Sequence, residues 1–481
     1  MRRDLAGGTG TNVTGLEEIH YAPLLEVSEL LRARRLSPVE VTRATLGRIE
    51  TLNPSLGAYY VVFADAALAE ARQTEKEIGN GGWLGALHGM PIAFKDLYKL
   101  GPTTAGSRLL AGYIAKKAAV LVRRARAAGA VITGKLATHE FGLAAASLSD
   151  HFPPARNPWD PERTPGGSST GAGTAIAAGM AFGAFGTDTG GSVRLPAAYC
   201  GIVGYKPTFG LLSRSGVIPL SPSLDHGGAL ARTVADAAAL VAAVAGYDPS
   251  DPGSSPPAAS ATVGFEAGVR GLRVAVPRDF WDGSCDPAVS ERVEAALGRL
   301  SELGATPAEV RLGLSVAQVM AVGYVITLAE AAAYHLPNLR AGRQGYGREF
   351  GLVLRSGLLV PAHAYVHAHN ARARIAREVA RLLKTHDVLA MPTVGALADP
   401  LPPGPRPLTR RISEHPVPQY TWLANLTGGP AVSVPCGFSK TGLPVGLQLV
   451  GRQFDDATVL RAAHAYESAT GWRDMHPPLW P

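Results

Sequence analysis

The chain has 481 residues, 46% hydrophobic and 18% charged, with three cysteines and a formal net charge of +7. That composition is ordinary for a globular protein, and the length allows one large unit or about three smaller ones. Cys200, Cys285 and Cys436 are too few and too scattered for a disulfide framework or a cysteine metal site, which points to a reducing compartment, the cytoplasm.

The N-terminal stretch from Met1 to Gly8 has two arginines but no apolar run behind them, so no secretion signal is read there, and residues 1–20 are expected to be a loose tail. Arginine clusters at Arg32, Arg34 and Arg35, at Arg123, Arg124 and Arg126, and at Arg406, Arg410 and Arg411 lack interleaved aromatics. They read as solvated helix faces, with no nucleic-acid partner. The weakly polar runs Gly171–Gly186 and Ala237–Gly246 are too short for a bilayer crossing, so no membrane span is expected.

Taken in order, Ser37-Pro38-Val39-Glu40 combines a cap, a proline at the first helical position and an acid in the first turn, predicting a helix to about Glu50. A second helix is expected over Ala64–Ile78, and a short buried strand over Met90–Phe94 that delivers Lys95 at its end. Next come a basic-faced helix over Ala118–Gly129, a strand over Ala130–Thr133, a helix over Thr170–Met180, a strand over Ala181–Gly186 and a loop over Thr187–Ser192. Residues 247–262, dense in Pro, Ser, Asp and Gly, read as a loop. Beyond them, strands are expected at Leu272–Val276, Asp387–Ala390, Ala431–Pro435 and Val445–Val450. Helices are expected at Val289–Leu303, Ala317–Leu336 and Ala362–Leu383, and Pro400–Pro407 reads as a surface loop. The alternation predicts an α/β fold around a mixed sheet, with no internal repeat.

Two glycine-serine loops carry the chemistry. Gly166-Gly167-Ser168-Ser169-Thr170-Gly171 and Gly186-Thr187-Asp188-Thr189-Gly190-Gly191-Ser192 flank a small-residue segment, and Lys95 waits at the end of an apolar strand. Cleaving an amide needs a nucleophile, a base, an acid for the leaving nitrogen and donors for the oxyanion. Ser192 follows two glycines that let backbone approach a substrate carbonyl, and the N–H groups of Thr189, Gly190, Gly191 and Ser192 are candidate oxyanion donors. Lys95 can act as base only if burial keeps it neutral, with Ser168 relaying the proton to and from Ser192. Activity should then rise toward alkaline pH.

These residues resemble the amidase signature family, which carries a Ser-cisSer-Lys triad. The similarity runs through Leu87–Asp96, Asn157-Pro158-Trp159-Asp160, Gly166–Ser169, Gly186–Arg194, Gly204–Thr208, Pro435-Cys436-Gly437 and Leu443–Gln448, nearly the whole chain. It implies a single amidase domain over 1–481, with a central twisted mixed sheet covered by helices on both faces and a variable substrate-specificity region at 310–420. It also implies Ser192 as acyl nucleophile, Ser168 on a cis peptide bond, Lys95 as base, and no cofactor or metal. Ser169, Asp188 and Arg194 are read as supporting residues, the last two as an ion pair bracing the nucleophile loop. Thr170 and Ala172 replace the family's usual glycine and frequent serine, which should alter packing and spare the chemistry.

The implied activity is hydrolysis of a small-molecule amide, an aryl amide or a carbamate, with side activity on esters, by a monomer or homodimer. The alternative is the glutaminase component of a tRNA-dependent amidotransferase, supplying ammonia to a partner. Those components typically carry glutamine where this chain has Leu195, and an acid at the place that aligns with Pro418. Other matches are weaker. Gly167-Ser168-Ser169-Thr170-Gly171 fits a nucleophile elbow centred on Ser169 but lacks a preceding oxyanion glycine run. Asp188-Thr189-Gly190 has no second copy to make an aspartic dyad, and Gly171-Ala172-Gly173 puts Ile176 where a dinucleotide loop needs glycine. His363, His367 and His369 have no acidic or cysteine partner motif nearby and read as surface or packing residues. Tyr324, Tyr334, Tyr346, Phe350, Tyr365 and Trp422 are expected in the core or along the substrate site.

Overall fold

The computed structural model describes residues 19–143, 152–256, 264–265, 267–281, 283–401 and 419–479. Its strands are β1 (Tyr59–Val62), β2 (Pro91–Lys95), β3 (Gly101–Pro102), β4 (Ile114–Ala115), β5 (Val131–Leu136), β6 (Gly183–Asp188), β7 (Val203–Lys206), β8 (His226–Ala231), β9 (Arg273–Pro277), β10 (Thr306–Val310), β11 (Val388–Pro392), β12 (Ala431–Phe438) and β13 (Pro444–Val450). Among the described residues, eleven of them form one sheet in the order β1-β5-β2-β6-β8-β7-β12-β13-β11-β9-β10, while β3 and β4 pair separately. The sheet is mixed: β5-β2-β6 and β11-β9-β10 are parallel triplets, joined by antiparallel neighbours.

Successive side chains of a strand point to opposite faces, and both faces are apolar. Ile92, Phe94, Phe185, Ala229 and Ala231 pack into one core with Leu121, Val122 and Ala125 of the helix Val120–Ala127 and with Val234–Val244. Ala93, Ala184 and Leu230 pack into a second core with Ile49, Leu52 and Leu56 of the helix Pro38–Leu56 and with Thr170–Ala177. The helix Pro38–Leu56 starts where the sequence predicts, with a full capping box between Ser37 and Glu40. It continues past Glu50 until Gly57, at φ +62°, ends it.

Two expectations change. Thr187 and Asp188, read as loop, are the last residues of β6. Ile19, read as part of a loose tail, is buried in a one-turn helix Ile19–Tyr21. Residues 257–262, most of Pro400–Pro407, and Pro418 lie outside the described residues. The helix Val316–Arg340 is long and apolar enough to cross a membrane, a length that neither run singled out from the sequence reaches. Here it buries Val319, Met320, Gly323, Ile326, Ala331 and His335 and packs on the helices Arg348–Leu358, Ala362–Leu382 and Trp422–Thr427.

Candidate active site

The parallel pairing of β2 with β6 creates the site. Their register aligns Ile92 with Gly183 and Phe94 with Phe185, so both strands end side by side, delivering Lys95 and Thr187 to one edge. Carboxyl ends of parallel strands are where open α/β sheets hold ligands. The helix Thr170–Ala177 lies on the same side as Ala93, in the second core, and brings Ser168 and Ser169 over those strand ends from its N-terminus.

Lys95 has no exposed surface. Its Nζ lies 2.8 Å from Ser168 Oγ and 2.8 Å from Thr187 Oγ1. Among the described residues no carboxylate forms an ion pair with it. Burial pushes the ammonium down to about 7, against the opposing pull of Asp188 and Asp225. A neutral amine has two hydrogens and one lone pair. It can accept the Ser168 proton while donating to Thr187. The Gly167–Ser168 peptide bond is cis.

Ser192 is half-buried and begins the turn into the helix Arg194–Cys200. Ser169 ties the two loops: its N–H donates to Ser192 O at 3.2 Å, and its hydroxyl to Thr187 O at 3.2 Å. Gly190 and Gly191 are glycines because of what faces them. A Cβ on Gly190 would stand 2.5 Å from the Trp422 ring, and one on Gly191, whose φ is +131°, 2.3 Å from Thr421 Oγ1.

Asp188 and Arg194 form the anticipated pair, both fully buried, with Nη2 to Oδ1 at 2.8 Å and Nε to Oδ2 at 3.0 Å. Arg194 also donates to Asn425 Oδ1, Gln448 Oε1 and Thr421 O. Burial alone would raise the Asp188 carboxyl, but the Arg194 guanidinium and the Asn425 amide hold it well below the usual carboxylate range. Asp188 accepts the Gly191 N–H at 2.8 Å and the Val193 N–H at 3.1 Å. The Gly191 N–H, taken from the sequence as an oxyanion donor, is thus turned to Asp188. Thr189, Gly190 and Ser192 remain as the candidate oxyanion donors.

Thr189 is anchored by a residue that the sequence does not single out. Its hydroxyl donates to Asp225 Oδ1 at 2.6 Å, and Asp225 Oδ2 accepts the Leu220 and Ser221 N–H groups at 2.9 and 3.0 Å. Burial raises this carboxyl to about 6, although those bonds and Arg214 oppose it. Thr187, Thr421, Asn425 and Gln448 likewise go unmarked as site residues in the sequence. Gln448 ends one stretch on which the family resemblance rests and Thr187 lies in another, Gly186–Arg194; Thr421 and Asn425 reach the site only through tertiary contacts.

Of the six aromatics expected in the core or along the substrate site, four fall into two groups, while Tyr334 is exposed and Tyr365 is half-buried against His369. Trp422 packs against Tyr324 beside the loop 189–192, with ring centroids 5.0 Å apart and the planes tilted by 55°. Phe141, Tyr346 and Phe350 surround buried His335, whose burial holds it down to about 4. The loop between Arg340 and Arg348 is fixed to the Glu140 turn, where the Glu140 carboxylate accepts the Gly347 N–H at 3.0 Å. His363 and His367 are exposed, and no metal-binding group of His, Cys, Asp or Glu occurs among the described residues. Leu195 packs with Ala198, Tyr199, Val394 and Ala398.

Comparison with known proteins matches nearly the whole chain to amidases. The family model described as Amidase matches residues 40–460. An amidase of Pseudomonas putida is 41% identical over 473 residues, covering 95% of this chain and 97% of that protein. The A component of the glutamyl-tRNA(Gln) amidotransferase of Myxococcus xanthus is 40% identical over 483 residues, covering 95% and 99%. Among solved structures, a bacterial aryl acylamidase superposes with a TM-score of 0.86 at 25% identity, covering 95% of this chain and 98% of that one.

Proposed function

The chain belongs to the amidase signature family and is an amidohydrolase acting on C–N bonds, and from that premise we propose that it works through an acyl-enzyme on Ser192, with Ser168 and Lys95 as proton relay. Neutral Lys95 accepts the Ser168 proton as Ser168 takes that of Ser192. The Ser192 Oγ bonds to the carbonyl carbon, and the carbonyl electron pair moves onto oxygen, facing the N–H groups of Thr189, Gly190 and Ser192. The C–N bond breaks as Ser168 passes its proton to the leaving nitrogen and recovers one from Lys95. Water then attacks the ester along the same relay, releasing the acid. One observation carries this reading: a fully buried lysine held 2.8 Å from a serine hydroxyl, with no carboxylate paired to it among the described residues.

Two substrate readings divide the family. The first is a free-standing amidase for an aryl amide or aryl carbamate, supported by Leu195, an apolar residue where amidotransferase components typically carry glutamine, and by the Tyr324–Trp422 pair beside Gly190. The second is a glutaminase component passing ammonia to a partner protein. The relatives weigh more on this side, since amidotransferase A components recur among them at 38–40% identity. Fluorophosphonate labelling with adduct mapping tests the shared chemistry: the adduct belongs on Ser192 and disappears in Ser192→Ala. An adduct on Ser169 would refute it. Hydrolysis of anilides, carbamates and glutamine, assayed with and without the other amidotransferase components, separates the readings. Glutamine turnover that requires the partners selects the second.

A further inference from the structure

The helix Val316–Arg340 bears on two groups next to the nucleophile loop, Trp422 and the segment 221–223, and both contacts fall on one helix face. Gly323 and Glu330 are seven residues apart, about two helical turns, so they point in nearly the same direction. At Gly323 the helix backbone presses on Trp422: a Cβ there would stand 2.2 Å from the ring. The same ring lies against Gly190, and the neighbouring Thr421 hydroxyl donates to Gly190 O at 2.6 Å. At Glu330 the contact is polar. Oε2 accepts the Ser221 hydroxyl at 2.7 Å and the Ser223 N–H at 3.0 Å, and Oε1 accepts the Tyr365 hydroxyl at 2.9 Å. The Ser221 N–H is bound in turn by Asp225, which holds Thr189.

We propose that this helix is a two-point buttress for the oxyanion donors, with Gly323 acting through Trp422 on Gly190, and Glu330 acting through Ser221 and Asp225 on Thr189. Gly323 and Glu330 are positioning residues. Neither touches substrate, yet each sets one of two adjacent N–H groups that must converge on a single oxygen. Because the helix lies in the segment expected to vary with substrate, the donors are aligned by the same element that shapes the pocket. The inference rests on the reading of Ser192 as nucleophile.

The test compares Glu330→Ala, Glu330→Gln, Ser221→Ala and Gly323→Ala with the wild type. The readouts are the rate of fluorophosphonate labelling of Ser192, kcat and KM on an anilide that the wild type hydrolyses, and melting temperature. Losing an oxyanion donor outright costs about 10²–10³ in kcat, so a misaligned one should cost at least about tenfold. Glu330→Ala and Gly323→Ala should slow labelling and kcat by that factor, with KM within about twofold and the pH midpoint unchanged. Glu330→Gln should restore most of the rate, because its carbonyl still accepts from Ser221 and Ser223 while its amide donates to the Tyr365 hydroxyl. Wild-type labelling and kcat in folded Glu330→Ala and Gly323→Ala would overturn the buttress. Should Glu330→Ala fail to fold, wild-type rates in both Ser221→Ala and Gly323→Ala would overturn it equally. A wild type that labels anywhere but Ser192 would instead bring down the nucleophile assignment beneath it.

Discussion

Moving from pH 8 to pH 6 should lower kcat/KM on a non-ionising anilide by about tenfold. Lys95 titrates at about 7, so its neutral fraction falls from about 90% to about 10% across that interval. Above pH 8 the profile should flatten, gaining only about a tenth by pH 9. A lysine with its ordinary value of 10.5 would behave differently: the neutral fraction would still climb about tenfold between pH 8 and 9. Holding Lys95 at about 7 instead of 10.5 corresponds to a net cost of about 5 kcal/mol for the ammonium, comparable to burying two or three leucine side chains. The assay is initial rate against pH from 5 to 10, repeated with fluorophosphonate labelling so that binding and leaving-group effects drop out. A rate still rising tenfold per unit above pH 8, or one flat from pH 5 to 9, would refute Lys95 as base.

Lys95→Met should abolish turnover and stabilise the fold near neutrality. The depressed folded-state value means the unfolded chain binds more protons between about pH 7 and 10.5, so wild-type stability from this group is complete above 10.5 and lost as pH falls to 7. Urea midpoints should therefore favour Lys95→Met by up to a few kcal/mol at pH 7.5, less about 1 kcal/mol for each hydrogen bond to Ser168 and Thr187, with the gap closing by pH 10. Arg194→Ala leaves Asp188 buried and unpaired, which should cost about 3–5 kcal/mol by urea unfolding. It should also move the pH limb of any residual activity upward, because an uncompensated Asp188 favours the Lys95 ammonium. Gly191→Ala should fold yet label with fluorophosphonate at least about tenfold more slowly, since its Cβ displaces Thr421 or the loop.

Much of this site is legible in the sequence because each part is announced locally. The capping box marks the start of the helix Pro38–Leu56, the apolar run Pro91–Phe94 marks the strand that ends in Lys95, and the two glycine-serine loops mark the serines. What escapes reading depends on distant partners. His226–Ala231 contains two glycines and too few β-branched residues to read as a strand, yet it is one because β6 and β7 pair with it on either side. The apolar helix Val234–Val244 looks in sequence only like a run too short for a membrane; it forms by covering the sheet. Asp225, Thr421, Asn425 and Gln448 lie 33 to 256 residues from Ser192 in sequence and join the site solely through the sheet and the helix Trp422–Thr427. The loop expected over Thr187–Ser192 is two residues too long, because strand pairing to His226 and Gly227 extends β6 through Asp188.

Lys95, the base we propose, must be dehydrated without pairing to an acid, and the fold achieves both with one set of bonds. Two carboxylates, Asp188 and Asp225, lie near enough to act on Lys95 electrostatically. Were either to bond Nζ, the ammonium would persist at neutral pH and Ser168 would keep its proton. Instead Asp188 directs its oxygens to Arg194, Asn425 and the Gly191 and Val193 N–H groups, and Asp225 directs its own to Thr189, Leu220 and Ser221. The bonds that occupy these acids are the ones that hold the nucleophile loop. On the proposed assignment, rigidity of the oxyanion donors and neutrality of Lys95 therefore have a common origin, and a substitution that loosens one should disturb the other.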